Sequence, residues 1–137
     1  MALHQFTCVA LNGRAILIAG AAGMGKSSLA LALIDRGAML VGDDGVDLDL
    51  REGRLFASPA PATRGLIEIR GVGLIPMPVA EEVPVALLLR LTRDAPRYIE
   101  KAPRETVMGA LLPSLALWPD SPVLALRARM ALEHHGL

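Results

Sequence analysis

Ala15-Ile16-Leu17-Ile18-Ala19-Gly20-Ala21-Ala22-Gly23-Met24-Gly25-Lys26-Ser27-Ser28 is the stretch on which the fold turns. Its first five residues are apolar without alternation, as in a strand covered on both faces. The glycine-rich run behind them has P-loop spacing: Gly20 and Gly25 bracket four residues, and Lys26 and Ser27 follow at once. Small residues let successive backbone N–H groups turn inward around phosphate oxygens, and a helix N-terminus adds a favourable dipole. That helix is predicted over Lys26 to Arg36, with Leu29, Ala30, Leu33 and Ile34 as its apolar positions and Gly37 as its stop. In such a loop the lysine reaches the β- and γ-phosphates and the hydroxyl holds Mg²⁺. The nucleotide-binding candidates are therefore Gly20, Ala21, Ala22, Gly23, Met24, Gly25, Lys26, Ser27 and Ser28.

Working outward, Phe6 to Leu11 reads as a strand that turns at Asn12-Gly13 into Arg14 to Ala19. Downstream, Met39-Leu40-Val41 is a short buried strand that delivers Asp43 and Asp44 at its C-terminal end, where open α/β sheets place their ligands. Adjacent carboxylates beside a triphosphate repel one another, which suits one of the pair to taking and giving a proton. A solvated Asp-Asp-Gly turn is the competing reading. Val46 to Leu50 and Arg54 to Ala57 flank Glu52-Gly53 as a second hairpin, and Leu66 to Arg70 and Val72 to Ile75 are strand material broken by glycines. Glu68 and Arg70, on alternate residues, share one face and mark a polar site. Val85 to Leu91 and Leu111 to Leu117 complete the strands, and Pro122 at N1 after Ser121 starts a helix running to His135. The class is α/β with a mixed sheet, β-hairpins and a C-terminal helix.

The whole chain supports one domain, residues 1–137. A chain of 137 residues buries roughly 68% of its unfolded surface and needs no disulfide or structural metal. With aromatic residues at 3% the core must be aliphatic. Fourteen basic residues balance fourteen acidic ones, which argues against a general nucleic-acid or anionic-membrane binder. A lone cysteine, Cys8, and the lack of a signal segment or long uncharged apolar run suit a soluble protein of the reducing cytoplasm. Lysine occurs only at 26 and 101, so each asks for a reason.

Together the P-loop, Leu40-Val41-Gly42-Asp43-Asp44 and Leu66-Ile67-Glu68-Ile69-Arg70-Gly71-Val72-Gly73-Leu74-Ile75 resemble the catalytic domain of bacterial HPr kinase/phosphorylase, in particular its short single-domain proteobacterial form. The resemblance implies a P-loop NTPase fold of the phosphoenolpyruvate-carboxykinase-like type. It also implies ATP- and Mg²⁺-dependent phosphorylation of a serine of the phosphocarrier protein HPr, within the phosphotransferase system. By motif, Asp44 would accept the serine proton, Lys26 would bind phosphate, Ser27 and Glu68 would bind Mg²⁺, and Ile67 to Pro76 would form the signature segment. Asp43, His4 near the family histidine, and Lys101 where the family has an arginine complete the catalytic set. Longer relatives are oligomeric, so a homo-oligomer is a further expectation.

Three features point to a weak reverse reaction, phosphorolysis of phosphoserine: Ala22 replaces a loop serine, Lys101 cannot make bidentate arginine contacts, and the C-terminal dephosphorylation segment is missing. Two alternatives carry different chemistry. One is a nucleotide-binding regulator without transfer activity, consistent with Ala22 and Ser28. The other is a small-molecule kinase with Arg90, Arg93 and Arg97 as its lid.

Overall fold

The computed structural model describes residues 2–137. Eleven strands and two α-helices are arranged among them: β1 (Ala2–His4), β2 (Thr7–Leu11), β3 (Arg14–Gly20), α1 (Lys26–Asp35), β4 (Met39–Gly42), β5 (Val46–Arg51), β6 (Arg54–Pro59), β7 (Leu66–Ile69), β8 (Gly73–Pro76), β9 (Val83–Leu91), β10 (Arg104–Val107), β11 (Ala110–Leu117) and α2 (Leu124–His135). A single 3₁₀ turn, Pro61–Thr63, precedes β7.

β9 is the axis of the main sheet. Its run Val85-Ala86-Leu87-Leu88-Leu89 is wholly buried, as befits a strand covered on both faces. Along one edge it pairs in parallel with β3, from Ala15 opposite Val85 to Gly20 opposite Leu91. Along the other it takes β6 antiparallel at its start and β11 in parallel at its end. The order β1-β5-β6-β9-β3-β2-β4, with β10 and β11 branching from β9, makes a mixed sheet. The C-terminal ends of β3 and β4 point the same way, because each is antiparallel to β2.

Two aliphatic cores lie on opposite faces of this sheet. On one side Val9, Ile16, Ile18, Leu87 and Leu89 pack against Leu29 and Leu33 of α1 and Ala128 and Leu132 of α2. On the other the β5–β6 hairpin curls over, so that Val46, Leu48, Leu55 and Ala57 meet Cys8, Leu17, Val85 and Leu88. Alternation along β2 and β3 sends successive residues to the two cores, which is why both strands read as unbroken apolar runs.

The expected hairpins at Asn12-Gly13 and Glu52-Gly53 are present, with Asn12, Gly13, Glu52 and Gly53 all at positive φ. Two strands escape the sequence pattern. β1 is three residues long and is defined by pairing to β5, a contact between distant segments. β10 reads Arg-Glu-Thr-Val without an apolar face and exists through its ladder to β11. The C-terminal helix starts later than Pro122 implies. Leu124 is its first residue, and Ser121 holds a turn ahead of it by accepting the Val123 N–H at 3.1 Å. Among the described residues no helix is long and apolar enough to cross a membrane.

Candidate active site

The loop Gly20 to Gly25 joins β3 to α1 at the C-terminal edge of the sheet. Gly25, the N-cap residue of α1, sits at φ 89°, a left-handed conformation costly for any residue with a β-carbon. No side chain caps the helix and no acid occupies its first turn, so its free N–H groups face outward as anion donors. The Lys26 ammonium donates to the Gly20 carbonyl at 2.7 Å, which folds the side chain back along the loop it would serve.

The acidic pair follows from β4. A β-carbon at Gly42 would collide with the Gly45 carbonyl, so only glycine permits this turn. The turn projects both acids, but in different directions. Asp43 is half-buried and accepts three hydrogen bonds: from Ser27 Oγ at 2.5 Å and Thr7 Oγ1 at 3.4 Å on Oδ1, and from the Glu68 N–H at 3.0 Å on Oδ2. Asp44 is exposed at φ 54°, a left-handed position that Asp tolerates better than most, and its N–H donates to Thr7 Oγ1 at 3.2 Å. Among the described residues no hydrogen bond engages the Asp44 carboxylate, leaving it available to an incoming group. Thr7, fully buried, therefore braces both acids. Its polar side chain in the apolar run Thr7-Cys8-Val9-Ala10-Leu11 was the sequence signal for that role.

β7 and β8 form a separate two-stranded hairpin. Ile67 is buried beneath it while Glu68 and Arg70 face out, the shared face that their alternation implies. The hairpin and the loop enclose a cleft of about 600 Å³ that brings together Lys26, Ser27, Ser28, Glu68 and Arg70 with the backbone of Gly23, Gly25 and Gly71–Gly73. Lys26, Ser27 and Glu68 thus meet despite lying on three separate elements, and Asp43 links two of them through hydrogen bonds.

The donor set bears on the metal. Among the described residues no group of three or more His, Cys, Asp or Glu gathers at metal-binding spacing. One hydroxyl and one carboxylate beside a phosphate cradle fit Mg²⁺, which holds six oxygens, retains waters and leans on substrate phosphates instead of an all-protein cage.

Other candidates lie elsewhere. His4 is on β1, opposite Val46, its ring stacked on Phe6 at 6.1 Å between centroids. Lys101 is exposed in the segment ahead of β10. Neither lines the cleft. The proposed lid arginines are already engaged: Arg90 makes paired hydrogen bonds with Glu105 at 2.8 and 2.7 Å, and Arg93 with Asp120 at 2.9 and 3.2 Å. Arg93 also reaches Met24 Sδ of the loop at 3.6 Å.

With this geometry in place, comparison with known proteins gives a consistent result. Residues 2–80 match the HPr Serine kinase C-terminal domain family. A 70-residue stretch, 51% of the chain, is 49% identical to the HPr kinase/phosphorylase of Clostridium tetani, and covers 23% of that protein. A 68-residue stretch is 48% identical to the HPr kinase/phosphorylase of Streptococcus thermophilus, covering 49% of this chain and 22% of that protein. The match thus spans less than a quarter of the length of these curated relatives. The fold is similar to the structure of the Hpr(Ser) kinase/phosphatase from Coxiella burnetii, with a TM-score of 0.83 and 27% identity over 97% of this chain and 95% of that one.

Proposed function

The chain belongs to the HPr serine kinase C-terminal domain family, and on that footing we propose that it transfers the terminal phosphoryl group of ATP to a serine of an HPr-type phosphocarrier protein. One observation carries the reading: Lys26, Ser27 and Glu68 line a single cleft, with the Asp43–Asp44 turn hydrogen-bonded to its wall. In this reading residues 1–137 are one P-loop domain of the phosphoenolpyruvate-carboxykinase-like type. It is cytoplasmic and open to self-association, and its balanced charge suits a protein partner better than nucleic acid or membrane.

Each side chain has a distinct task. The loop N–H groups and Lys26 hold the phosphates and meet the charge that builds up during transfer. Ser27 and Glu68 would hold Mg²⁺, which neutralises β- and γ-phosphate charge when bound. Asp43 fixes the Ser27 hydroxyl and the Glu68 backbone in relation to each other. The Asp44 carboxylate, exposed and without a hydrogen-bond partner of its own, takes the proton of the attacking serine hydroxyl.

Purified chain, γ-labelled ATP, Mg²⁺ and HPr test this directly, beside a control without HPr. Label on an HPr serine supports the proposal. Release of free phosphate in both tubes would instead mark a general NTPase, and no turnover with intact ATP binding a regulator. The reverse reaction is proposed to be weak, because Ala22 supplies no loop hydroxyl and Lys101 stands outside the cleft. Phosphoserine-HPr incubated with inorganic phosphate should release pyrophosphate far more slowly than the forward reaction phosphorylates HPr; comparable rates would overturn that expectation.

A further inference from the structure

α1 shows two chemically different faces at its start. Lys26 and Ser27 open onto the charged cleft with Glu68, whereas Ser28, Leu29 and Ala32 recur at helical spacing on another stripe. That stripe lines a second cavity of about 270 Å³, whose opposite wall is Pro119, Leu124 and Ala125 on the way into and along α2. Gly25 and Ser28 line both cavities, so the two are continuous around the first turn of the helix.

Their chemistry is opposite. The second cavity is walled by aliphatic and proline side chains, its polar groups are Ser28, Ser121 and Arg36, and no carboxylate lines it. Such a slot suits a flat, largely apolar group with a few hydrogen-bonding atoms. Its far wall is fastened to the phosphate loop: Asp120 is ion-paired to Arg93, which also reaches Met24 Sδ at 3.6 Å.

We propose that this second cavity is the nucleoside subsite, holding the base and ribose of the triphosphate whose phosphates lie on the loop. The inference rests on the nucleotide-binding reading given above and adds the direction in which the nucleotide lies. A metal held by Ser27 and Glu68 bridges the β- and γ-phosphates, so the γ end sits toward Glu68 and the acidic turn. The chain of phosphates then leaves the cleft past Ser28, into the apolar cavity.

Mg²⁺-ATP and Mg²⁺-tripolyphosphate, an equivalent anionic chain without a nucleoside, separate the two cavities by titration calorimetry. Ala32→Leu narrows the slot while keeping a good helix former. It should weaken ATP binding by about tenfold or more and leave tripolyphosphate binding within about twofold. An equal loss for both ligands, or none for ATP, would overturn the subsite. A second measurement needs no variant: Trp118, the only tryptophan in the chain, precedes Pro119 of the cavity wall. ATP should change its fluorescence and tripolyphosphate should not; identical responses count against the proposal. Failure of the underlying reading looks different, because then neither ligand binds the unmutated chain, or Lys26→Ala leaves tripolyphosphate affinity intact.

Discussion

Two regions of the molecule are organised around one carboxylate that accepts three hydrogen bonds, and they do opposite things with its charge. Glu105 on β10 takes two bonds from the Arg90 guanidinium and one from Ser114 Oγ at 2.5 Å. Asp43 takes its three from two hydroxyls and a backbone N–H. Arg90 cancels the charge of Glu105, so that cluster closes on itself and tethers β10 to β9. The donors of Asp43 are neutral, so its charge persists beside Ser27 and Glu68, where it favours a cation. A carboxylate paired to a guanidinium fastens a sheet; one held by neutral donors keeps a site charged.

The comparison is tested first, and with the largest expected effect, on the cationic side of the cleft. Lys26→Ala should lower ATP-dependent phosphoryl transfer by at least about 10²- to 10³-fold, since one charged donor to the transferring group is lost. Its melting temperature should change little, because Lys26 is only half-buried and at a helix end. Steady-state kinetics beside thermal denaturation check both halves of the statement.

Asp44→Asn should come next. Asn tolerates the left-handed backbone at φ 54°, so the turn is preserved while the proton acceptor is removed. Transfer should fall by about 10²-fold or more with ATP affinity held. Normal single-turnover rates in this variant would move the base elsewhere and make the exposure of Asp44 incidental.

Glu68→Gln sharpens the contrast between the two carboxylate clusters. It removes one negative charge from the cleft but leaves the Glu68 N–H on Asp43, so the hairpin should stay docked. The Mg²⁺ concentration for half-maximal activity should rise several-fold, with stability unchanged; a wild-type Mg²⁺ dependence would take Glu68 out of the metal site.

The smallest effect belongs to Glu105→Gln, which should leave activity intact and lower stability by about 1 kcal/mol or less, since the ion pair is substantially solvent-exposed. Arg90, and then Ser114, hold the Glu105 carboxyl down to about 2 from its ordinary 4.5. Because the folded value is depressed, the contribution is complete above pH 4.5 and fades as pH falls toward 2. The difference in urea midpoint between wild type and variant should therefore shrink across that window. A constant difference would mean that the Glu105 charge does nothing for the sheet.

By itself the sequence determined what local chemistry can determine. The strand, glycine loop and helix from Ala15 to Arg36 follow from apolar continuity, glycine spacing and helix propensity, and the hairpin turns from Asn12-Gly13 and Glu52-Gly53, all of which act within a few residues. The same is true of the polar face shared by Glu68 and Arg70. Only the tertiary structure decided how these pieces meet. β1 and β10 have no pattern of their own and exist by pairing with β5 and β11. That Asp43 faces Ser27 while Asp44 faces outward depends on the tight Gly42–Gly45 turn and on buried Thr7, from a different strand. The engagement of Arg90 by Glu105 and of Arg93 by Asp120 joins residues well separated along the chain. Sequence patterns report the burial and turning of a segment, because those forces are local, whereas the partner of a buried hydroxyl or an exposed charge is set by whichever distant strand the sheet brings beside it.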